Sequence, residues 1–179
     1  MHGIVFLELR KYAVGKFGSE VWRELVRKAG LSSVFYEASR AYPDADFGLL
    51  FAAVSEHAKA TPEQTMRDFG HFVVPHLVQV FKGVINPAWR ALDLLENIEG
   101  VVHPAARVNN PGATPPVLSV QRTGERLVFV YSSKRGMAAF GVGLVEAILT
   151  HYGEDHLYKV TYGASDGGKK ARIIVVRVE

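Results

Sequence analysis

The chain has 179 residues, 48 % of them hydrophobic and 22 % charged, enough for one domain or two small subdomains around a sizeable core. A net charge of +3 without a Lys/Arg run gives no footprint of nucleic-acid binding, and the absence of cysteine excludes disulfides, thiolate metal sites and cysteine nucleophiles, in keeping with a cytoplasmic protein. No stretch is apolar for long enough to span a bilayer, and Glu8, Arg10 and Lys11 interrupt the N-terminal segment where a signal peptide would stay apolar.

In chain order, Ile4 to Val14 is apolar on most sides, the pattern of a buried helix. Ser19 is placed to cap a helix over Glu20 to Lys28, whose buried stripe is Val21, Trp22, Leu25 and Val26. Ser32 to Tyr42 reads as a loop, and Asp44 or Asp46 as the cap of a helix running to about Lys59. Thr61, Pro62 and Gln64 form a start signal: a cap, a proline at the first helical position and a side chain that reaches back to the cap. In the helix that follows, Pro75 lacks an amide donor and crowds the preceding turn, so a kink or break is expected near Phe72. Asn86-Pro87 repeats the cap-plus-proline signal ahead of Trp89, Leu92 and Leu95.

From Val117 the pattern changes. Val117 to Gln121 and Arg126 to Tyr131 are strand-like, Gly136 to Tyr152 is helical, and Leu157 to Tyr162 and Ala171 to Val178 alternate as a second hairpin. Helices first, then strand, strand, helix, strand, strand, argue for an α+β chain with a four-stranded antiparallel sheet.

Two features carry chemistry. If Tyr131 to Arg135 is extended, Tyr131, Ser133 and Arg135 share one face, a row of hydrogen-bond donors with one fixed charge, suited to a carboxylate or phosphate. His103 stands among Val101, Val102, Ala105, Ala106 and Val108, with Pro104 at the first turn of a helix. Taken alone, such a histidine is more often packed or exposed than a ligand. His71 and His76 are five apart, which does not form a metal pair on one helical face, while His2, His57, His151 and His156 read as surface residues.

His103, the turn Gly112-Ala113-Thr114-Pro115-Pro116 and Tyr131-x-Ser133-x-Arg135 occur in the order and spacing of the H-NOX family, the haem nitric oxide/oxygen binding domain that also forms the sensor of soluble guanylate cyclase. Met1-His2-Gly3-Ile4-Val5 resembles the family's N-terminus, and the resemblance covers essentially the whole chain. It implies a single domain over 1–179: a helical N-terminal subdomain, 1–60, and a haem-carrying α+β subdomain, 61–179, with haem b between the two parts. It implies His103 as the axial iron ligand, Tyr131, Ser133 and Arg135 as the propionate clamp, and Pro116 as a residue pressing on the macrocycle. Because a residue before proline is steered away from helical angles, His103 is expected just ahead of its helix.

The resemblance also places Val5, Leu9, Val73, Phe140 and Leu144 on the gas side. All are apolar, and core packing accounts for any one of them singly. A tyrosine occupies the position of Phe140 in oxygen-binding members, where it donates to bound oxygen. Its absence implies a sensor of nitric oxide, and of carbon monoxide, without a stable oxygen complex. Gas binding would weaken the iron–histidine bond and shift the helical part, and the signal would pass to a separate histidine kinase or diguanylate cyclase. No enzymatic activity, nucleic acid or membrane is expected. The rival readings are a haem enzyme of peroxidase type, for which the gas side lacks an acid–base residue, and a module for another tetrapyrrole or anionic ligand.

Overall fold

The computed structural model describes residues 1–32, 35–109 and 111–178. Ser33, Val34, Asn110 and Glu179 lie outside them, so the expected loop Ser32 to Tyr42 and the stretch Val101 to Asn110 are described only in part. The chain divides into two compact units, one of residues 1–65 with 110–113, the other of 66–109 with 114–179.

The first unit is helical: α1 (Gly3–Phe17), α2 (Ser19–Lys28) and α3 (Asp44–His57). Phe6, Leu9, Tyr12 and Ala13 of α1 are buried, as an all-round apolar helix requires. Phe6 stacks on Tyr36 at 4.4 Å between ring centroids and meets Phe47 edge-on at 5.6 Å, geometries that add to plain burial. The expected caps fall differently. Ser19 is the first residue of α2, after Gly18 at φ 90°, and Pro43 precedes Asp44 at the start of α3. Asp44 pairs instead with the amino group of Met1. His2 is buried and not on the surface, bridged through its backbone to Ala41.

Helix α4 (Pro62–Phe81) opens as its sequence indicates: the Gln64 N–H donates to Thr61 Oγ1 at 3.1 Å and the Thr61 N–H donates to Gln64 Oε1 at 3.0 Å. It runs unbroken past Pro75, against the expectation of a break. Asn86 does not start a helix. Its Oδ1 accepts from the Ala88 N–H at 2.9 Å, forming a local turn, and α5 (Ala91–Asn97) begins later, with the Arg90 N–H donating to Asp93. A π-helical turn, Ile98–Val102, joins α5 to α6 (His103–Asn109).

The sheet is made of β1 (Val117–Thr123), β2 (Arg126–Ser132), β3 (Tyr158–Ser165) and β4 (Lys170–Arg177), with α7 (Ala138–His151) between β2 and β3. All pairings are antiparallel in the order β1-β2-β4-β3. Leu127, Phe129, Ile173 and Val175 point to one face and bury against Val142, Val145 and Leu149 of α7 and Leu92 and Leu95 of α5. The period of two along each strand decides which side chains reach this core.

Helices α4 and α7 meet through glycines. A Cβ on Gly143 would overlap the Arg67 carbonyl oxygen, and one on Gly70 would overlap the Phe140 carbonyl oxygen. Arg67 and His71 of α4 both bond to Glu146 of α7, His71 at 3.1 Å. Burial raises the Glu146 pKa, but the hydrogen bonds and charges of Arg67 and His71 outweigh it and hold the carboxyl below its usual range. Gly143→Ala is therefore expected to cost about 1–3 kcal/mol of stability, since backbone atoms cannot step aside. Gly15, late in α1, has open space at its Cβ position, so Gly15→Ala should gain about 0.5–1 kcal/mol. Urea unfolding of both variants checks the pair, and a neutral Gly143→Ala would contradict the close approach.

Candidate functional site

The α5–π–α6 run delivers His103. Its backbone is helical, φ −65° and ψ −41°, so it lies inside the helical run and not ahead of it. The π turn supplies the reason. Pro104 has no N–H to give and its ring crowds the carbonyl one turn back, and a wider turn before it relieves both problems. The apolar wall around His103 is partial: Val101 and Val102 are half-buried, while Val108 is 78 % exposed.

The His103 side chain is 13 % exposed, and its Nδ1 lies 2.8 Å from Glu99 Oε2. The same carboxylate oxygen accepts from the Leu118 N–H at 3.0 Å, at the start of β1, and Oε1 lies 3.4 Å from Arg107 Nη2. Burial pushes the Glu99 pKa up, but donation from His103, the Leu118 amide and Arg107 more than reverses it, so Glu99 stays ionised. Burial also pushes the His103 pKa down, and the bond and charge of Glu99 oppose this without cancelling it, so the neutral imidazole is favoured. An ionised carboxylate can only accept, so Nδ1 carries the proton and Nε2 keeps its lone pair. Among the described residues Nε2 has no hydrogen-bond partner. This is the state in which a histidine coordinates a metal, with a carboxylate fixing the tautomer.

Glu99 was not singled out in the sequence. The signal was there as a Glu–His pair four apart, one helical turn, but only for a reader who kept the helix continuous across Pro104.

The donor row forms by a different route from the one expected. β2 ends at Ser132, and Lys134-Arg135 is a turn, followed by Gly136 at φ 67°, so strand alternation does not place Arg135. The three residues nevertheless gather. The Arg135 N–H donates to Ser133 Oγ at 3.3 Å, and its guanidinium Nη1 donates to the Thr114 carbonyl at 2.8 Å, which ties in the segment that leads to Pro116. Tyr131 is 4 % exposed. Its burial raises the phenol pKa against the lowering effects of hydrogen bonds from Ser133 and the Met137 amide and of the Arg135 charge, leaving a neutral hydroxyl able to donate. Pro116 is half-buried just ahead of β1.

On the α4–α7 face, Phe140 packs against Phe69 at 5.2 Å between centroids, and Val73 lies one turn beyond Phe69, 2 % exposed. Phe140 and Leu144 are half-buried, four apart on α7. Val5, half-buried, and Leu9, fully buried, are four apart on α1 in the other unit. His71 is held by Glu146 and is 42 % exposed. No cluster of three metal-binding acidic or histidine side chains exists among the described residues.

A family model described as haem-NO-binding matches residues 2–160. The unliganded Fe(II) H-NOX protein of K. algicida superimposes with a TM-score of 0.88 at 20 % identity, over 100 % of this chain and 97 % of that one. The S. oneidensis H-NOX protein in its Fe(II)NO ligation state gives 0.87 at 20 % identity over 100 % of both chains. The H-NOX domain from Shewanella oneidensis in its Fe(II)CO ligation state gives 0.85 at 19 % identity, over 100 % of this chain and 99 % of that one. No curated protein sequence matches this chain. With the family model spanning most of its length and these structures sharing its fold, the chain belongs to the haem-NO-binding, or H-NOX, family.

Proposed function

We propose that the protein is a haem-based gas sensor, taking nitric oxide or carbon monoxide at ferrous haem b held by His103, and signalling to a separate protein such as a histidine kinase or diguanylate cyclase. The observation that carries this reading is the Glu99–His103 pair, which leaves one imidazole lone pair free on a histidine otherwise buried in a helical run. The donor set fits the group: Arg135, Ser133 and Tyr131 would hold the propionates, His103 Nε2 would hold the iron, and the half-buried Pro116 would pack on the macrocycle. Haem, when bound, would supply a ferrous iron with a position open to a diatomic gas.

The chain's own residues account for the rest. Val5, Leu9, Val73, Phe140 and Leu144, assigned to the gas side, offer no hydrogen-bond donor. Bound dioxygen gains from a donor far more than nitric oxide does, so the choice of gas rests on what these side chains lack. Of the two histidines on α4 that a peroxidase reading would call on, His71 and His76, His71 is held by Glu146. Transmission begins at His103, because Glu99 bonds at once to the imidazole and to the Leu118 amide. A displacement of the imidazole is therefore felt by the helix and the sheet together.

Two outcomes are expected. The reduced protein should shift its Soret band with nitric oxide and with carbon monoxide, and in air it should oxidise without a persistent oxygen complex. A stable oxygenated spectrum would contradict the donor-free reading. Glu99→Gln removes the charge behind His103, so the iron–histidine stretching frequency should fall and haem retention weaken about tenfold. An unchanged frequency would show that the carboxylate does not reach the ligand.

A further inference from the structure

The four strands contain no Asp or Glu, but they carry six Lys or Arg: Arg122, Arg126, Lys159, Lys170, Arg172 and Arg177. Alternation divides these between the faces. Arg122 and Arg177 are paired, with Asp93 and Glu96 and with Glu125 respectively. Arg126, Lys159, Lys170 and Arg172 project from the opposite face, and none makes an ion pair with a described residue.

Between them runs an apolar stripe. Val128 and Val130 of β2 stand beside Ile174 and Arg172 of β4, and Val176 of β4 is flanked by Arg126 and Lys159. Val130 is 55 % exposed and Val176 37 %, Ile174 is half-buried and Val128 between them is 8 % exposed, whereas Phe129 and Val175 on the packed face are at 1 % and 0 %. At one end, Lys170 and Arg172 border a shallow recess with Ser132, Gly163 and Ser165. An apolar centre with cations at both ends and no strand carboxylate is the complement of an acidic protein surface with apolar residues at its middle.

We propose that this sheet face docks an acidic surface of the signalling protein. The inference rests on the sensor reading and names the chemistry of its partner. Nucleic acid is disfavoured because every strand aromatic, Phe129, Tyr131, Tyr158 and Tyr162, points to the packed face and leaves no ring for base stacking. A lipid surface is disfavoured because the exposed apolar groups are short β-branched side chains with no Trp, Phe or Leu to insert. Four strands about 4.8 Å apart and about 23 Å long present roughly 400 Å², the size of a transient contact. The sheet is also linked to His103: β1, which begins at Val117, carries the Leu118 amide that bonds to Glu99, and Glu99 bonds to the imidazole. Release or movement of His103 would thus change the strand bordering the docking face.

The test uses the haem-loaded full chain with labelled valine and isoleucine methyls. It is titrated with a helical peptide bearing Glu on one face and Leu on the other. Saturable shifts at Val130, Ile174 and Val176 are expected, suppressed by high salt, with binding at least about tenfold weaker in the double variant Lys170→Glu, Arg172→Glu. No shift at these methyls, or shifts indifferent to both salt and the double variant, would overturn the proposal. So would tighter binding of a DNA duplex or of phosphatidylglycerol vesicles to the same methyls. The nitric oxide spectrum of the same samples is read separately, so an absent peptide signal removes the docking face and leaves the sensor reading untouched.

Discussion

One carboxylate holds the surroundings of His103 together. Glu99 sits in a π turn, accepts from the His103 imidazole and the Leu118 amide, and lies against Arg107. Were it displaced, the imidazole would lose its acceptor, and were it protonated, the carboxyl could donate as well as accept and would no longer decide which nitrogen carries the proton. A buried histidine without such an acceptor could present either tautomer, and only one leaves Nε2 ready to coordinate. The wide turn, the helical backbone at His103 and the tolerance of Pro104 all serve to put these two side chains one turn apart.

The grouping of Tyr131, Ser133 and Arg135 depends on a different device. A strand alone would spread Tyr131, Ser133 and Arg135 along about 13 Å of one face. The turn after Ser132 folds the chain back instead, with Gly136 in the left-handed region that lets α7 begin immediately. Arg135 then secures the segment before Pro116 through the Thr114 carbonyl. One guanidinium thereby ties this row to the segment that leads into β1.

Much of this was legible beforehand, for physical reasons. The Thr61–Gln64 cap, the strand alternation and the apolar α1 are local patterns, and local patterns survive folding when tertiary contacts agree with them. The failures are equally specific. Asn86 bonds two residues ahead and makes a turn, since its side chain can serve either motif. Pro104 argued for a helix start because a residue before proline is steered away from helical angles, whereas the π turn ahead of it keeps His103 helical. His2 looked like a surface residue because nothing near it in sequence shows that the backbone at Ala41 returns to cover it. The Lys/Arg residues of the sheet were visible as residues but not as a face, because only the register separates the paired arginines from the other four.

The central claim is that His103 Nε2 is the protein's bond to iron, backed by Glu99. Imidazole rescue tests it most directly. His103→Gly should take up haem weakly and give an altered ferrous spectrum, and added imidazole, filling the space of the missing ring, should restore both the spectrum and the response to nitric oxide. A His103→Gly protein that keeps the unaltered ferrous spectrum without imidazole would contradict the account.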